Sequence, residues 1–337
     1  MGWWQVGADT LAGSRFLVSP LAETTATLFA LLAPTARHPG ERAWFDAHLP
    51  AFRARLAADP VTARLVRAVR SAHWTADYLV PTPTGDGERS FHEELAEIRD
   101  TPAAVVHADL VETIGGPLPA SLRGPDLQHR TADLLDWLWT RVVGPDWARR
   151  RRIMEADIIA RTGQLSRGGW AAVLDDMRPG MRWLGDSRLQ INVQDRPPRD
   201  ISAAHLLFLP VTPRPCWVTW DDRGHYGIVY SCAGALAEPA RPAAPQALGA
   251  LLGPARAGVL ALLDAPKSTS HLVALTGQGL GSVGRHLRIL LDAGLVGRRR
   301  SGRSVLYYRT PAGEVLVAAP GGGAGVRPGP EGGAQIR

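Results

Sequence analysis

The sequence predicts an α+β protein: a mostly helical N-terminal domain with a small antiparallel β element, followed by a compact C-terminal unit of helices and one hairpin. Three observations carry that expectation. Apolar residues recur at helical spacing over 21–180. Short runs rich in Val, Ile, Leu and aromatics replace that pattern over 189–232. Helical spacing then returns after a Pro- and Ala-rich stretch and ends in an arginine-loaded hairpin. A chain of 337 residues has room for about two such domains.

The elements follow in order. Residues 3–18, with Trp, Val and Phe around Gly13, suit one or two strands. Helical pieces include ERAWFDAHLPAFRARLAA (41–58), PVTARLVRAVRSAH (60–73), SFHEELAEI (90–98) and LLDWLWTRVV (134–143). Pro81, Pro83, Gly115, Gly116 and Pro117 separate them. The strand region contains RLQINV, HLLFLPVTP, CWVTW and HYGIVYS, and Asp221-Asp222-Arg223-Gly224 supplies a hairpin turn between the last two. AGALAEPARPAAPQ has almost no bulky core residue and reads as a linker, placed at 236–246. The N-terminal domain is thus expected at 1–235 and the C-terminal unit at 247–318. The glycine-rich remainder, 319–337, cannot bury a core and is expected to be disordered.

In the C-terminal unit, PARAGVLALL gives a helix with Val259, Leu260 and Leu263 on one face. Ser268 or Ser270 can cap the next helix, over His271–Leu275. Gly277-Gln278-Gly279 makes a turn, and a further helix runs from about Leu280 to Asp292. Its Val283, Leu287, Leu290 and Leu291 form one apolar stripe, while Ser282, Arg285, His286 and Arg288 share the opposite side. Ala293-Gly294 ends it, and Leu295-Val296 and Ser304–Tyr308 frame a tip holding Arg298, Arg299, Arg300 and Arg303. That order of parts is a winged helix-turn-helix, which places one helix in a DNA major groove.

Charge placement points the same way. Residues 256–309 hold nine Arg or Lys against Asp264 and Asp292, a balance of +7, whereas the rest of the chain has 29 basic and 30 acidic residues. A nearly neutral body with one basic end implies a polyanionic partner for that end. Lys267 is the only lysine, so the excess is almost wholly arginine, as codon usage in a GC-rich genome would produce without selection for binding.

The pattern from LLGP through RHLRILLDAGLV to VLYYRT resembles the winged-helix repressors of the arsenic-repressor type, over roughly 248–312. The upstream region, beginning GADTLAGSRFLVSPLAET, resembles a domain of unknown function that precedes such winged helices in actinomycete regulators. The resemblance implies a transcriptional regulator, a repressor binding a double-stranded operator as a homodimer. It assigns base reading to Ser282, Arg285 and His286, and phosphate contacts to Ser268, Arg288, Arg298, Arg299, Arg300 and Arg303. Metal-sensing members carry cysteines on the helix before the turn, and HLVALTG has none, so no metal site comes with the resemblance. Small members dimerise through terminal helices. Here only a short apolar piece follows Arg309, which leaves dimerisation to the N-terminal domain or the helix near Leu248.

Other motifs have plainer readings. Gly279–Gly284 fits G-x-G-x-x-G, but the chain beyond it is too short for a dinucleotide fold, and arginines stand where a ribose-binding acid belongs. His92-Glu93-Glu94 lacks the second histidine of a zinc motif. Cys216 and Cys232 read as reduced, buried thiols rather than a redox pair. All eleven tryptophans lie at or before Trp220, as core filling or, alternatively, as the lining of a small-molecule pocket. No catalytic triad or carboxylate pair stands out in the first 235 residues, and neither an enzyme, a cofactor nor a metal is expected. No signal peptide or membrane span is read, so a cytoplasmic, nucleoid-associated protein with a possible small-molecule effector is expected. The alternative is a small-molecule binder or enzyme acting through the N-terminal domain, with the winged helix serving protein contacts.

Overall fold

The run LLFLPV carries no polar residue because its strand, His205–Val211, is covered on both faces in the computed structural model. Side chains alternate across a strand. Leu207, Leu209 and Val211 enter one core, and Leu206 and Phe208 enter another on the opposite face. The structure describes residues 2–36, 39–70, 74–85, 87–175, 177–192, 196–232, 246–264, 266–301 and 304–318. The expected tail 319–337, Arg303 and all of the expected linker except Gln246 lie outside these residues.

The sheet built on this strand has the order Arg15–Phe16, His205–Val211, His225–Ser231, Trp217–Trp220. Its last pair is the expected hairpin, with Trp217 opposite Val229. Asp221 Oδ1 holds the turn by accepting from the backbone N–H of Arg223 and of His225, both at 2.9 Å. The other two pairs are parallel, Leu207 lying in register with both Arg15 and Gly227. The expectation of a small antiparallel element is therefore corrected to a mixed sheet. Apolar runs do not encode strand direction, and a strand covered on both faces suits parallel neighbours. A second four-stranded sheet has the order Arg182–Gly185, Arg188–Gln190, Trp3–Gln5, Arg199–Asp200. Between Trp3–Gln5 and Arg15–Phe16 the chain forms a helix, Ala8–Gly13, where the sequence suggested only strands.

The helical reading of the N-terminal region holds. Helix Pro20–Leu32 begins where Ser19 Oγ accepts from Ala22 N at 2.9 Å, with proline in the first turn, where its missing N–H costs nothing. Helix Phe91–Arg99 opens with a capping box in which Ser90 and Glu93 satisfy each other's backbone N–H. The piece expected over 134–143 divides into helix Leu127–Leu138 and a π turn, Trp139–Val143. The long helix Trp147–Leu174 follows, broken in its dihedrals at Gly169. All of these but the long helix bury their leucines, valines and phenylalanines in the cluster that holds Leu207 and Leu209 of the mixed sheet.

One ion pair lies inside that packing. Glu23, 0% exposed, meets Arg150 of the long helix, 1% exposed, at 2.6 Å. The carboxylate also accepts from Thr212 N at 2.7 Å, and the guanidinium donates to Thr27 Oγ1 at 3.3 Å. Buried charges need such partners, because removing either ion from water costs several kcal/mol or more. The pair ties helix Pro20–Leu32, the long helix and the end of strand His205–Val211 at one point. A separate apolar cluster contains Leu260, Leu263, Leu272, Val283, Leu287, Leu290 and Val296 of the C-terminal unit. Ala156, on the long helix, is buried in the same cluster, so the unit leans on that helix.

Candidate nucleic-acid interface

Each part of the C-terminal unit forms close to its expected place. Helix Pro254–Ala261 runs into a 3-10 turn, Leu262–Asp264, burying Val259, Leu260 and Leu263. Helix Thr269–Thr276 starts at Ser268, whose Oγ accepts from His271 N at 3.1 Å. The chain reverses at Gly277, whose φ of 68° suits a residue without a side chain. The helix after the turn, the candidate recognition helix, spans Leu280–Asp292, with Val283, Leu287 and Leu290 buried. It ends at Gly294, φ 70°, which turns the chain into the wing.

The wing is the antiparallel pair Val296–Ser301 and Ser304–Arg309, with Arg298 opposite Tyr307 and Arg300 opposite Val305. A third strand, Lys267–Ser268, pairs with Tyr307 and Leu306 along the other edge. Two residues carry too little pattern to read as a strand, and no sequence signal placed Ser268 in a sheet. This strand fastens the wing to the start of helix Thr269–Thr276.

The structure sorts seven of the nine basic residues of this region. Arg309 is structural: its Nε donates to Leu263 O at 3.0 Å and lies 3.3 Å from Glu314. Lys267 pairs with Asp264. Arg285 and Arg288 stand exposed on the recognition helix, and Arg298, Arg299 and Arg300 stand exposed on the wing. None of these five forms an ion pair among the described residues. Unpaired arginines on a helix face and a neighbouring ribbon leave their N–H donors available to phosphate and to guanine edges.

The other expected site residues are placed differently. Ser268 is 8% exposed and engaged as a helix cap, so its hydroxyl acts on the fold rather than at the surface. Ser282 and His286 are half-buried: Ser282 Oγ donates to Gln278 Oε1 at 3.0 Å and lies 3.2 Å from His286 Nε2. Gln278, Ser282 and His286 thus form one ladder at four-residue spacing up the start of the recognition helix. Sequence reasoning treated Gln278 only as part of a turn. Its spacing from Ser282 was the available signal.

Among the described residues no group of three or more His, Cys, Asp or Glu is placed to hold a metal ion. Cys216 is half-buried and Cys232 buried, both as free thiols. No helix among the described residues is long and apolar enough to cross a membrane. No curated protein and no solved structure matches the chain. Residues 256–297 match the family model of the bacterial regulatory protein, arsR family, and over that span the chain is similar to DNA-binding transcription regulators of this helix-turn-helix type.

Proposed function

We propose that the chain is a sequence-specific transcriptional repressor, cytoplasmic and acting as a homodimer, that binds a promoter operator through its winged helix and senses a small molecule through its N-terminal domain without catalysing a reaction. The observation that carries this reading is the pairing of exposed Arg285 and Arg288 on the recognition helix with exposed Arg298, Arg299 and Arg300 on the wing. Arg285 reads base edges, with Ser282 and His286 completing that face. Arg288 and the wing arginines hold phosphates, and Ser268 serves by fixing where the supporting helix starts. A homodimer would favour a pseudo-palindromic operator with half-sites one helical turn apart, about 10 base pairs.

Titration of a labelled promoter fragment tests it. Arg285→Ala should lose about 1–3 kcal/mol of discrimination between operator and scrambled DNA. If the variant binds both DNAs as the unaltered chain does, the recognition-helix assignment is wrong.

A further inference from the structure

The N-terminal region holds an open cleft of about 340 Å³, lined by residues of helices Pro20–Leu32 and Pro39–Ala58 and of the segment preceding strand Trp217–Trp220. Phe29, Ala30, Phe45 and Pro215 give it an apolar floor. Two arginines face it against one glutamate. Arg214 donates through Nε and Nη2 to the two oxygens of Glu41, at 2.8 and 2.9 Å. Arg70 has no such arrangement: its guanidinium lies over the Phe29 ring, 4.7 Å from the centroid, and no carboxylate among the described residues pairs with it.

That placement has a chemical consequence. Burial pulls the Arg70 pKa below the usual arginine value, against an opposing influence of the neighbouring Cys216. A guanidinium held over a ring still has N–H donors for an acceptor. A carboxylate matches that fork in two parallel hydrogen bonds. Among the described lining residues two arginines stand against one glutamate, a difference that a single negative charge balances. The lining beside it is apolar, and the volume is in the range of small-ligand sites, about 300–1,000 Å³.

We propose that this cleft binds a small aromatic monocarboxylate, its carboxylate on Arg70 and its ring against the apolar lining at Ala33, Phe45 and Pro215. The proposal deepens the sensing half of the function above and does not depend on DNA binding. The test is calorimetric titration of the full chain, without DNA, with 2-naphthoate, its neutral counterpart 2-naphthamide, and inorganic phosphate. 2-Naphthoate should bind, with 2-naphthamide and phosphate each at least tenfold weaker. Arg70→Gln should weaken 2-naphthoate at least tenfold. Ala33→Trp, which fills the mouth of the cleft and retains Arg70, should do the same, and circular dichroism would confirm that each variant is folded. No 2-naphthoate binding by the unaltered chain overturns the proposal, as does equal binding by a folded Arg70→Gln or Ala33→Trp. Phosphate binding as tightly as 2-naphthoate would overturn the aromatic class. Because no DNA is present, failure here leaves the Arg285→Ala test untouched, and the reverse also holds.

Discussion

In the N-terminal region Arg150 and Arg161 are 1% and 9% exposed, each against a carboxylate, whereas in the C-terminal unit Arg285, Arg288, Arg298, Arg299 and Arg300 stand in solvent without one. The cores differ in the opposite sense. The winged helix is packed with Leu, Val and Ala, while the larger region buries Glu23, Glu94, Asp157 and several threonines among its apolar residues. The same residue type is therefore used for two purposes. A buried arginine, once paired, fixes which elements meet, because any other arrangement strands a charge. An exposed one with no carboxylate beside it leaves its donors open to a polyanion.

The comparison can be broken most severely at the buried pair. Arg150→Met leaves the buried Glu23 carboxyl without its arginine, and should cost about 3–5 kcal/mol in urea unfolding. Adding Glu23→Gln should recover part of that loss, since the remaining group is neutral and can still accept from Thr212. A single variant as stable as the unaltered chain would show that the pair does not hold these elements together.

Replacing Arg298, Arg299 and Arg300 together by alanine tests the other side. All DNA should bind more weakly regardless of sequence, and the log–log salt slope should flatten by about 0.9 for each phosphate that is no longer neutralised. The thermal midpoint should stay where it was. An unchanged slope would remove the wing from the interface, and a lowered midpoint would mean that these arginines serve the fold after all.

The smallest effect concerns Glu94. Burial pushes its carboxyl up from 4.5 to about 7, against the opposing hydrogen bonds from Leu21 N and the Ser19 hydroxyl. The folded state then holds a proton that the unfolded chain releases near 4.5, so this group's contribution to stability is lost as pH rises from about 4.5 to about 7. Both hydrogen bonds enter one oxygen, which a glutamine amide also supplies. Glu94→Gln should remove that loss, gaining about 1–3 kcal/mol at pH 8 relative to pH 5 when compared with the unaltered chain. Parallel stability profiles for the two proteins would place the proton elsewhere.

Much of the winged helix was legible because its signals are local. The stripe Val283, Leu287, Leu290, the Ser268 cap and the glycines at 277 and 294 each act within a few residues. The larger region was legible only as helices and strands. Glu23 and Arg150 are 127 positions apart, and nothing in either neighbourhood announces the other. The parallel pairing of His205–Val211 with His225–Ser231 was hidden for a related reason, since direction is set by what covers the sheet. Strands Arg199–Asp200 and Lys267–Ser268 are too short for any period to show. At the site, the exposed arginines followed from the amphipathic pattern. The Gln278–Ser282–His286 ladder did not, because the turn separates its first member from the helix that holds the rest.

The alanine at 156 has a mechanical meaning. It lies six residues beyond Arg150 on one continuous helix, which at helical geometry is about 9 Å along the axis and about two-thirds of a revolution around it. One side of the rod is clamped by Glu23, and another is the floor on which the reading domain rests. The body and the C-terminal unit therefore share one structural strut, each holding a different side of it.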